Sequence, residues 1–386
     1  MTGYYNRRPI FCDIFCIVID NFGDIGVCLR IARQLVREYD WKVRIFINDL
    51  QTFSRLLPEI CIDARLQIVD GIVIKYWDVQ ISNSIDIADV VIEAFSCELP
   101  TVYLAMMARR ARQPAWINLE YLSAEDWIID FHLCQSPHPY YPLVKTFFFP
   151  GLSSGSGGVI KERDLDARRI AFKNDIDAQN IWWRSSVMNL PPPDSTIISL
   201  FIYENPAINI LLEQWRDESK PIVLLIPEGC MSSTISCFFG IDTFGALSYA
   251  RSGNIIAYGL TFVPQSDYDK ILWISDLNFV RGEDSFVRAQ WANCPFVWNI
   301  YPQAYNTHLP KLNAALTHIS SGLTDSSLTA FRNFWHALNG FGIPDWKDFW
   351  RHRLVFKENA IFWANKLEKI GNLTRNLVEY AKSQLK

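Results

Sequence analysis

Between Asp13 and Leu35 the chain reads DIFCIVIDNFGDIGVCLRIARQL. The apolar run from Ile14 to Ile19 stops at Asp20-Asn21-Phe22-Gly23-Asp24-Ile25-Gly26, and Val27, Ile31 and Leu35 then recur at helical spacing. A strand, a glycine turn and a helix in immediate succession open a parallel α/β sheet. Such sheets build their ligand sites at the carboxyl ends of the strands, which is where Asp20 and Asp24 fall. The G-x-G-x-x-G pattern of dinucleotide folds is missing here, so the loop suits a different ligand and some acid-base chemistry. Its glycines allow the backbone to approach that ligand, and Asn21, Phe22 and Gly23 are candidate substrate contacts. A local reading stays open: Asp24 can cap the following helix and Asp20 can brace the turn.

The first half of the chain continues the alternation. Strands are expected at 14–19, 42–47, 90–94, 115–118 and 128–133, with helices at 26–39 and 100–112 between them. An aromatic cluster at 147–149 then runs into a Ser/Gly loop, whose residues 155–158 read as a mobile lid or a linker. Pro191-Pro192-Pro193-Asp194 punctuates the chain. A second αβ series follows, with strands expected at 196–202, 222–226, 255–258, 279–280 and 296–298. From Ser327 onward the pattern is helical and rich in Trp and Phe. We therefore expect one domain at 1–165, a linker at 166–193 and a second doubly wound domain at 194–357. A C-terminal helix at about 358–386 is expected to pack back on the first domain.

The 386 residues suffice for two such domains, and 49% apolar content excludes global disorder. A net charge of −4 argues against a nucleic-acid binder. The 9 cysteines are scattered with no C-x-x-C, as expected of buried thiols in a reducing compartment. The 6 histidines form no metal-binding pattern, so no metal is expected. Arg7-Arg8 resembles the start of a secretion signal, but Asp13 interrupts the apolar stretch. No run approaches the ~20 apolar residues of a membrane span. The expectation is a soluble cytoplasmic protein.

Three further constellations carry chemistry. In FVRGEDSFVRAQ, a short strand runs into Arg281-Gly282-Glu283-Asp284-Ser285 and then a helix. A helix amino terminus behind a glycine is a natural phosphate site. Arg281 neutralises phosphate charge and Ser285 can donate a hydroxyl to the same oxygens. Glu283 and Asp284 either complement the helix dipole or, for Glu283, face a cation or a sugar hydroxyl. Phe201, Tyr203, Phe262, Gln265 and Tyr268 lie at strand ends or just beyond them. They either stack on and read a nucleobase or simply pack the core, as aromatics at 14% of the chain often do. His308 is a lone histidine, read as structural or ligand-contacting.

Taken together, IDNFGDIGVCLRIARQL, VVIEAFSCELP, WINLEYLSAE, SGGVIKERDL, FVPQSDYDKILW and FVRGEDSFVRAQ followed by PFVWNIYPQ closely resemble the EarP family. These are protein-arginine rhamnosyltransferases that modify bacterial elongation factor P. The resemblance implies a GT-B fold, with two Rossmann-like domains facing a cleft. It implies transfer of rhamnose from dTDP-β-L-rhamnose to one arginine of elongation factor P, with inversion, activating that factor for rescue of stalled ribosomes. The family's carboxylates fall on Asp20, Asp24 and Glu283. Its nucleotide contacts fall on Phe201, Tyr203, Phe262, Gln265, Tyr268, Arg281, Asp284 and Ser285, with Tyr268 replacing an expected Phe.

A guanidinium is a poor nucleophile, protonated below pH ~12 and delocalised. A carboxylate must orient it and take its proton, a role expected of Asp20, with Asp24 and Glu283 holding the cation. No cofactor is expected beyond the donor substrate, and neither nucleic acid nor membrane as partner. Two alternatives share the architecture. One is a glycosyltransferase with a glycan or lipid hydroxyl as acceptor, and the other is a nucleotide-binding module without turnover.

Overall fold

The computed structural model describes residues 8–19, 22–78, 86–187 and 189–385. Two compact units appear, one of Met1–Arg163 with Ile370–Lys386 and one of Asp164–Lys369.

The first unit is built on strands β1 (Phe11–Cys16), β2 (Lys42–Ile47), β3 (Leu66–Val69), β4 (Ile72–Tyr76), β5 (Val90–Ala94), β6 (Ala115–Leu119), β7 (Gln135–Pro137) and β8 (Val144–Phe148). Their order in the sheet is β3-β4-β2-β1-β5-β6-β8-β7. All neighbours run parallel except the two edge pairs, β3 with β4 and β7 with β8. Helices cover both faces, so β5 and β6 are buried at every position and read as apolar runs rather than alternating patterns. Helix Gly23–Tyr39 returns the chain from β1 to β2 and buries Ile25, Leu29, Ile31 and Leu35 against the sheet. It stops where Asp40 turns left-handed at φ 62° and donates its N–H to Leu35 O.

Two local expectations change. Residues 128–133 were expected as a strand, but Trp127–Phe131 is a short helix. A short apolar run has no period that separates strand from helix. Here only Ile128 turns inward, Trp127 and Phe131 stay exposed, and the sheet edge beyond β6 is filled by β8 and β7. The hairpin of β3 and β4 was not anticipated. Its turn, Asp70-Gly71, has φ of 54° and 75°, the two left-handed residues of a type I′ hairpin.

The Ser/Gly loop is neither a free lid nor a linker. Residues 156–158 are buried within the first unit. Val159 pairs with Asn372, and Asn376 donates to Gly157 O at 3.0 Å. Helix Leu373–Gln384 is thereby seated in the same unit, with Thr374 donating to Gln34 at 2.6 Å and Thr146 bonded to Tyr380 at 2.6 Å.

The second unit holds β9 (Thr196–Leu200), β10 (Ile222–Pro227), β11 (Tyr249–Ser252), β12 (Ile255–Leu260), β13 (Leu277–Arg281) and β14 (Phe296–Asn299), ordered β11-β12-β10-β9-β13-β14. Only β11 is antiparallel to its neighbour. The stretch expected as a linker contains helices Leu165–Asn174 and Ile176–Val187. The first packs Phe172 near Trp273 and donates from Arg169 to Trp291 O. Helix Arg353–Ile370 also lies mainly in this unit, with Trp363 donating to Gln290 at 2.9 Å. Arg288 and Asp269, both fully buried, form a two-point ion pair at 2.8 and 2.7 Å. That pair ties helix Gln265–Ile274 to helix Asp284–Trp291. Among the described residues no helix is long and apolar enough to cross a membrane.

The seating of the C-terminal segment depends on a close approach of backbones. A Cβ on Gly158, at φ +80°, would lie 2.3 Å from Gly371 O, whereas a Cβ on Gly240, at φ +65°, meets nothing within 4 Å. Gly240→Ala should cost about 1 kcal/mol, from left-handed strain alone, and Gly158→Ala roughly 3 kcal/mol. Melting curves of the two variants measure the difference, and equal shifts would mean that the Gly371 contact contributes nothing.

Candidate functional site

In the second unit the carboxyl edge of the sheet gathers the residues singled out from sequence. β9 and β13 are parallel neighbours, and Phe201 continues the ladder by donating to Phe279 O at 3.0 Å. This brings the end of β9 beside Arg281. The Arg281 guanidinium carbon lies 4.6 Å from the centre of the Phe201 ring and 4.9 Å from that of Tyr203. Arg281 also donates to Ile202 O at 3.3 Å. The rings hold the cation by their π faces and fix it at the sheet edge. Gly282 follows at φ +63°, and Trp298 donates to its carbonyl at 3.1 Å. The turn delivers the chain directly into helix Asp284–Trp291.

Glu283 is the N-cap residue of that helix but makes no capping bond with its side chain. Asp284 accepts from Gln265 at 3.4 Å, linking the first turns of the two helices that the Asp269–Arg288 pair clamps further along. Ser285 turns its hydroxyl to Arg281 O, so the donation to a ligand oxygen expected from sequence is not made in this conformation. Tyr268 sets its ring edge-on to Phe201 at 5.6 Å. Its hydroxyl end is enclosed, and that desolvation raises the phenol pKa. Phe262 follows β12, half-buried, with its N–H donated to Glu228 at 3.1 Å. His308 is structural: its Nδ1 accepts from Gln303 N at 3.1 Å.

In the first unit Asp24 is 2% exposed and is not the cap of its own helix. The helix begins at Gly23, ahead of the expected start, and its N-cap is Phe22. A Cβ on Gly23 would meet nothing within 4 Å. The Asp24 carboxylate turns back, accepting from Ile19 N at 3.0 Å and from the Tyr121 hydroxyl at 3.1 Å. Arg55 lies 5.7 Å from the Phe22 ring centre. Asp20 and Asn21 lie outside the described residues.

Further along the same sheet edge, Glu120 accepts from Asn118 and Ser96, and burial raises its carboxyl pKa despite those bonds. Glu93, 1% exposed, takes Lys145 at 3.3 Å and the Trp116 indole N–H at 3.0 Å. Asp24 and Glu93 are thus buried and held by their partners, and Glu120 is the half-buried carboxylate at this edge, where its charge suits a cationic ligand. Among the described residues no group of three His, Cys, Asp or Glu side chains is placed to hold a metal ion.

Over residues 12–382 the chain matches the family described as elongation-factor P (EF-P) rhamnosyltransferase EarP. A protein-arginine rhamnosyltransferase of Pseudomonas aeruginosa is 40% identical over 370 residues, spanning 95% of this chain and 98% of the relative. One of Pseudomonas putida is 38% identical over 375 residues, spanning 97% and 99%. A solved structure concerned with EarP-mediated arginine glycosylation of translation elongation factor EF-P has a TM-score of 0.69 and 28% identity, covering 97% of this chain and 99% of that one. The two parallel sheets and this likeness are those of a GT-B fold.

Asn48, Phe95 and Tyr121 were not anticipated as site residues. Asn48, just past β2, accepts the Val18 N–H at 2.9 Å. No sequence signal marks it, since the contact spans 30 positions. With Asp24 on Ile19, it holds two successive amides of the segment that leads out of β1. Asn48→Ala should destabilise by about 1 kcal/mol, because Val18 loses its acceptor, while Asn48→Asp keeps an acceptor and most of the stability. Amide exchange at Val18 reads this directly, and equal exchange in both variants would reject the bond.

Proposed function

We propose that this chain, which belongs to the EarP family and is a glycosyltransferase, transfers L-rhamnose from dTDP-β-L-rhamnose to an arginine of elongation factor P with inversion. The observation that carries the reading is the Arg281 cation, held over Phe201 and Tyr203 and followed at once by the amino terminus of helix Asp284–Trp291. A fixed guanidinium and the positive end of a helix together suit a departing diphosphate. The aromatic residues Phe201, Tyr203, Phe262 and Tyr268, with Gln265, would flank the nucleotide. The relatives are named for the reaction with protein arginine, and the solved EarP structure names EF-P as its target.

The first unit handles the acceptor. Its acidic edge would draw in the guanidinium, with Asp24 holding charge and Asp20 acting as base; Glu283, in the second unit, is the third candidate carboxylate. One guanidinium nitrogen attacks the anomeric carbon as the bond from that carbon to the dTDP oxygen breaks. The electron pair of the broken bond leaves with dTDP. The proton lost from the attacking nitrogen passes to Asp20, so the product is a rhamnosyl-guanidinium that keeps its positive charge, formed on the face opposite the leaving group. Arg281 supplies the positive charge that the leaving diphosphate needs, and the step as written calls for no metal. With a translation factor as acceptor, the reaction would take place in the cytoplasm and would serve the rescue of stalled ribosomes.

Intact-mass analysis of elongation factor P incubated with the enzyme and dTDP-β-L-rhamnose should show a gain of one deoxyhexose, mapped to one arginine and unaffected by EDTA. No gain on any arginine would reject the acceptor, and loss of activity in EDTA would reject metal-free departure. Asp20→Asn should slow transfer by about 10²- to 10⁴-fold with dTDP affinity retained. Arg281→Ala should weaken dTDP binding by about 10- to 100-fold, measured by calorimetry. Unchanged affinity there would contradict the phosphate role.

A further inference from the structure

The loop that follows β5 contains an unusual strain. Phe95 and Ser96 are consecutive non-glycine residues with φ of 57° and 55°, both in the left-handed region. Each such residue costs of order 1 kcal/mol or more, and persists only where its surroundings over-determine it. The surroundings here are the residues after β6. Phe95 is 8% exposed and stacks on Tyr121 with ring centres 4.4 Å apart and planes 19° apart. Phe95 also donates its N–H to Leu119 O at 2.7 Å. Ser96 reaches Asn118 and Glu120, each at 3.4 Å. The strained pair therefore grips the end of β6 at several points, and the ring stack sets the plane of Tyr121.

Tyr121 in turn bridges 97 positions of sequence to donate its hydroxyl to Asp24 at 3.1 Å. The other oxygen of that carboxylate accepts the Ile19 N–H. Both ends of Asp24 are thus held, one by backbone and one by the phenol. Tyr121 is 41% exposed while Asp24 is 2% exposed. Tyr121 thus joins a partly exposed ring to a buried carboxylate.

We propose that Tyr121 is a positioning residue of the acceptor half: its hydroxyl sets the orientation of Asp24, and the left-handed Phe95–Ser96 loop sets Tyr121. The inference rests on the arginine-acceptor reading for its kinetic consequence but not for its structural one. Because Asp24 also holds the Ile19 amide, a change at Tyr121 reaches both the Asp24 carboxylate and the segment that leads out of β1. Tyr121 moves no proton in this scheme.

Tyr121→Phe removes the hydroxyl and leaves the ring stack on Phe95. In the full-length enzyme it should lower kcat for rhamnosylation of elongation factor P by about 10- to 100-fold. The affinity for dTDP and the KM for elongation factor P should stay within about threefold, since neither is bound by the lost hydroxyl. Hydrogen–deuterium exchange should show faster exchange at Ile19, with the amides of β2 and β5 unchanged. Phe95→Leu keeps the hydroxyl but loosens the stack, and should give an intermediate loss of kcat with partial deprotection of Ile19. Wild-type kcat in Tyr121→Phe overturns the proposal. So does a lower kcat with Ile19 exchange unchanged, which would make Tyr121 a substrate contact instead. If the wild-type enzyme fails to modify elongation factor P while Tyr121→Phe still deprotects Ile19, the acceptor reading falls and the positioning of Asp24 stands.

Discussion

Every parallel strand that ends at a site leaves backbone N–H groups without a ladder partner, and each must find an acceptor or lose stability. Both units solve this with side chains. In the first, Val18 is received by Asn48 and Ile19 by Asp24. In the second, Tyr203 is received by Asn299 at 3.0 Å, Phe262 by Glu228, and Ile300 by Asn339 at 3.0 Å. Each of these bonds fixes the direction in which the chain leaves its sheet. The candidate site residues sit on those outgoing segments, so their placement follows from the same requirement.

Buried charge does the complementary work beneath the site. Asp13 holds Arg44 at two points, 2.7 and 2.6 Å, and accepts from Tyr103, joining β1, β2 and helix Thr101–Arg109. Asp269 and Arg288 join the two helices whose first turns carry Gln265, Asp284 and Ser285. Such pairs add little net stability over apolar packing, because desolvation offsets the Coulomb attraction. Their value is geometric. A paired, hydrogen-bonded charge tolerates few orientations, so the helix ends cannot slide relative to one another. The proposed diphosphate site would gain from that rigidity, because dipoles already in place do not have to reorganise as charge develops.

Much of this was legible in the chain. The strand–turn–helix at Asp13–Leu35 and the apolar runs of β2, β5, β6, β10 and β12 survive with small boundary changes. Arg281, Phe201 and Tyr203 belong to separate sequence patterns, and they meet because β9 and β13 lie side by side. The Asp70-Gly71 hairpin also has a local signature, a two-residue turn between apolar runs. The failure at 128–133 has a different cause. WIIDFHL suits a strand or a helix equally well by periodicity, and the choice fell to the edge strands that pair with β6 and beyond. The role of Asp24 was also ambiguous locally. A carboxylate in the first turn of a helix usually caps it, and only the position of Ile19 and Tyr121 shows that this one faces backward.

What the sequence determined by itself is most of the core strands, the carboxyl-edge placement of the candidate site residues and, through its motifs, the family. Those depend on interactions within a few residues: apolar period, glycine and proline punctuation, and a charged loop between a strand and a helix. What only the tertiary structure decided is the set of partners for each polar group. Tyr121 to Asp24 spans 97 positions, Ser96 to Glu120 spans 24 and Asn48 to Val18 spans 30. Such contacts form only when distant strands lie side by side. No local preference encodes them, because the residue that satisfies a buried donor is chosen by sheet order and register rather than by its neighbours in the chain.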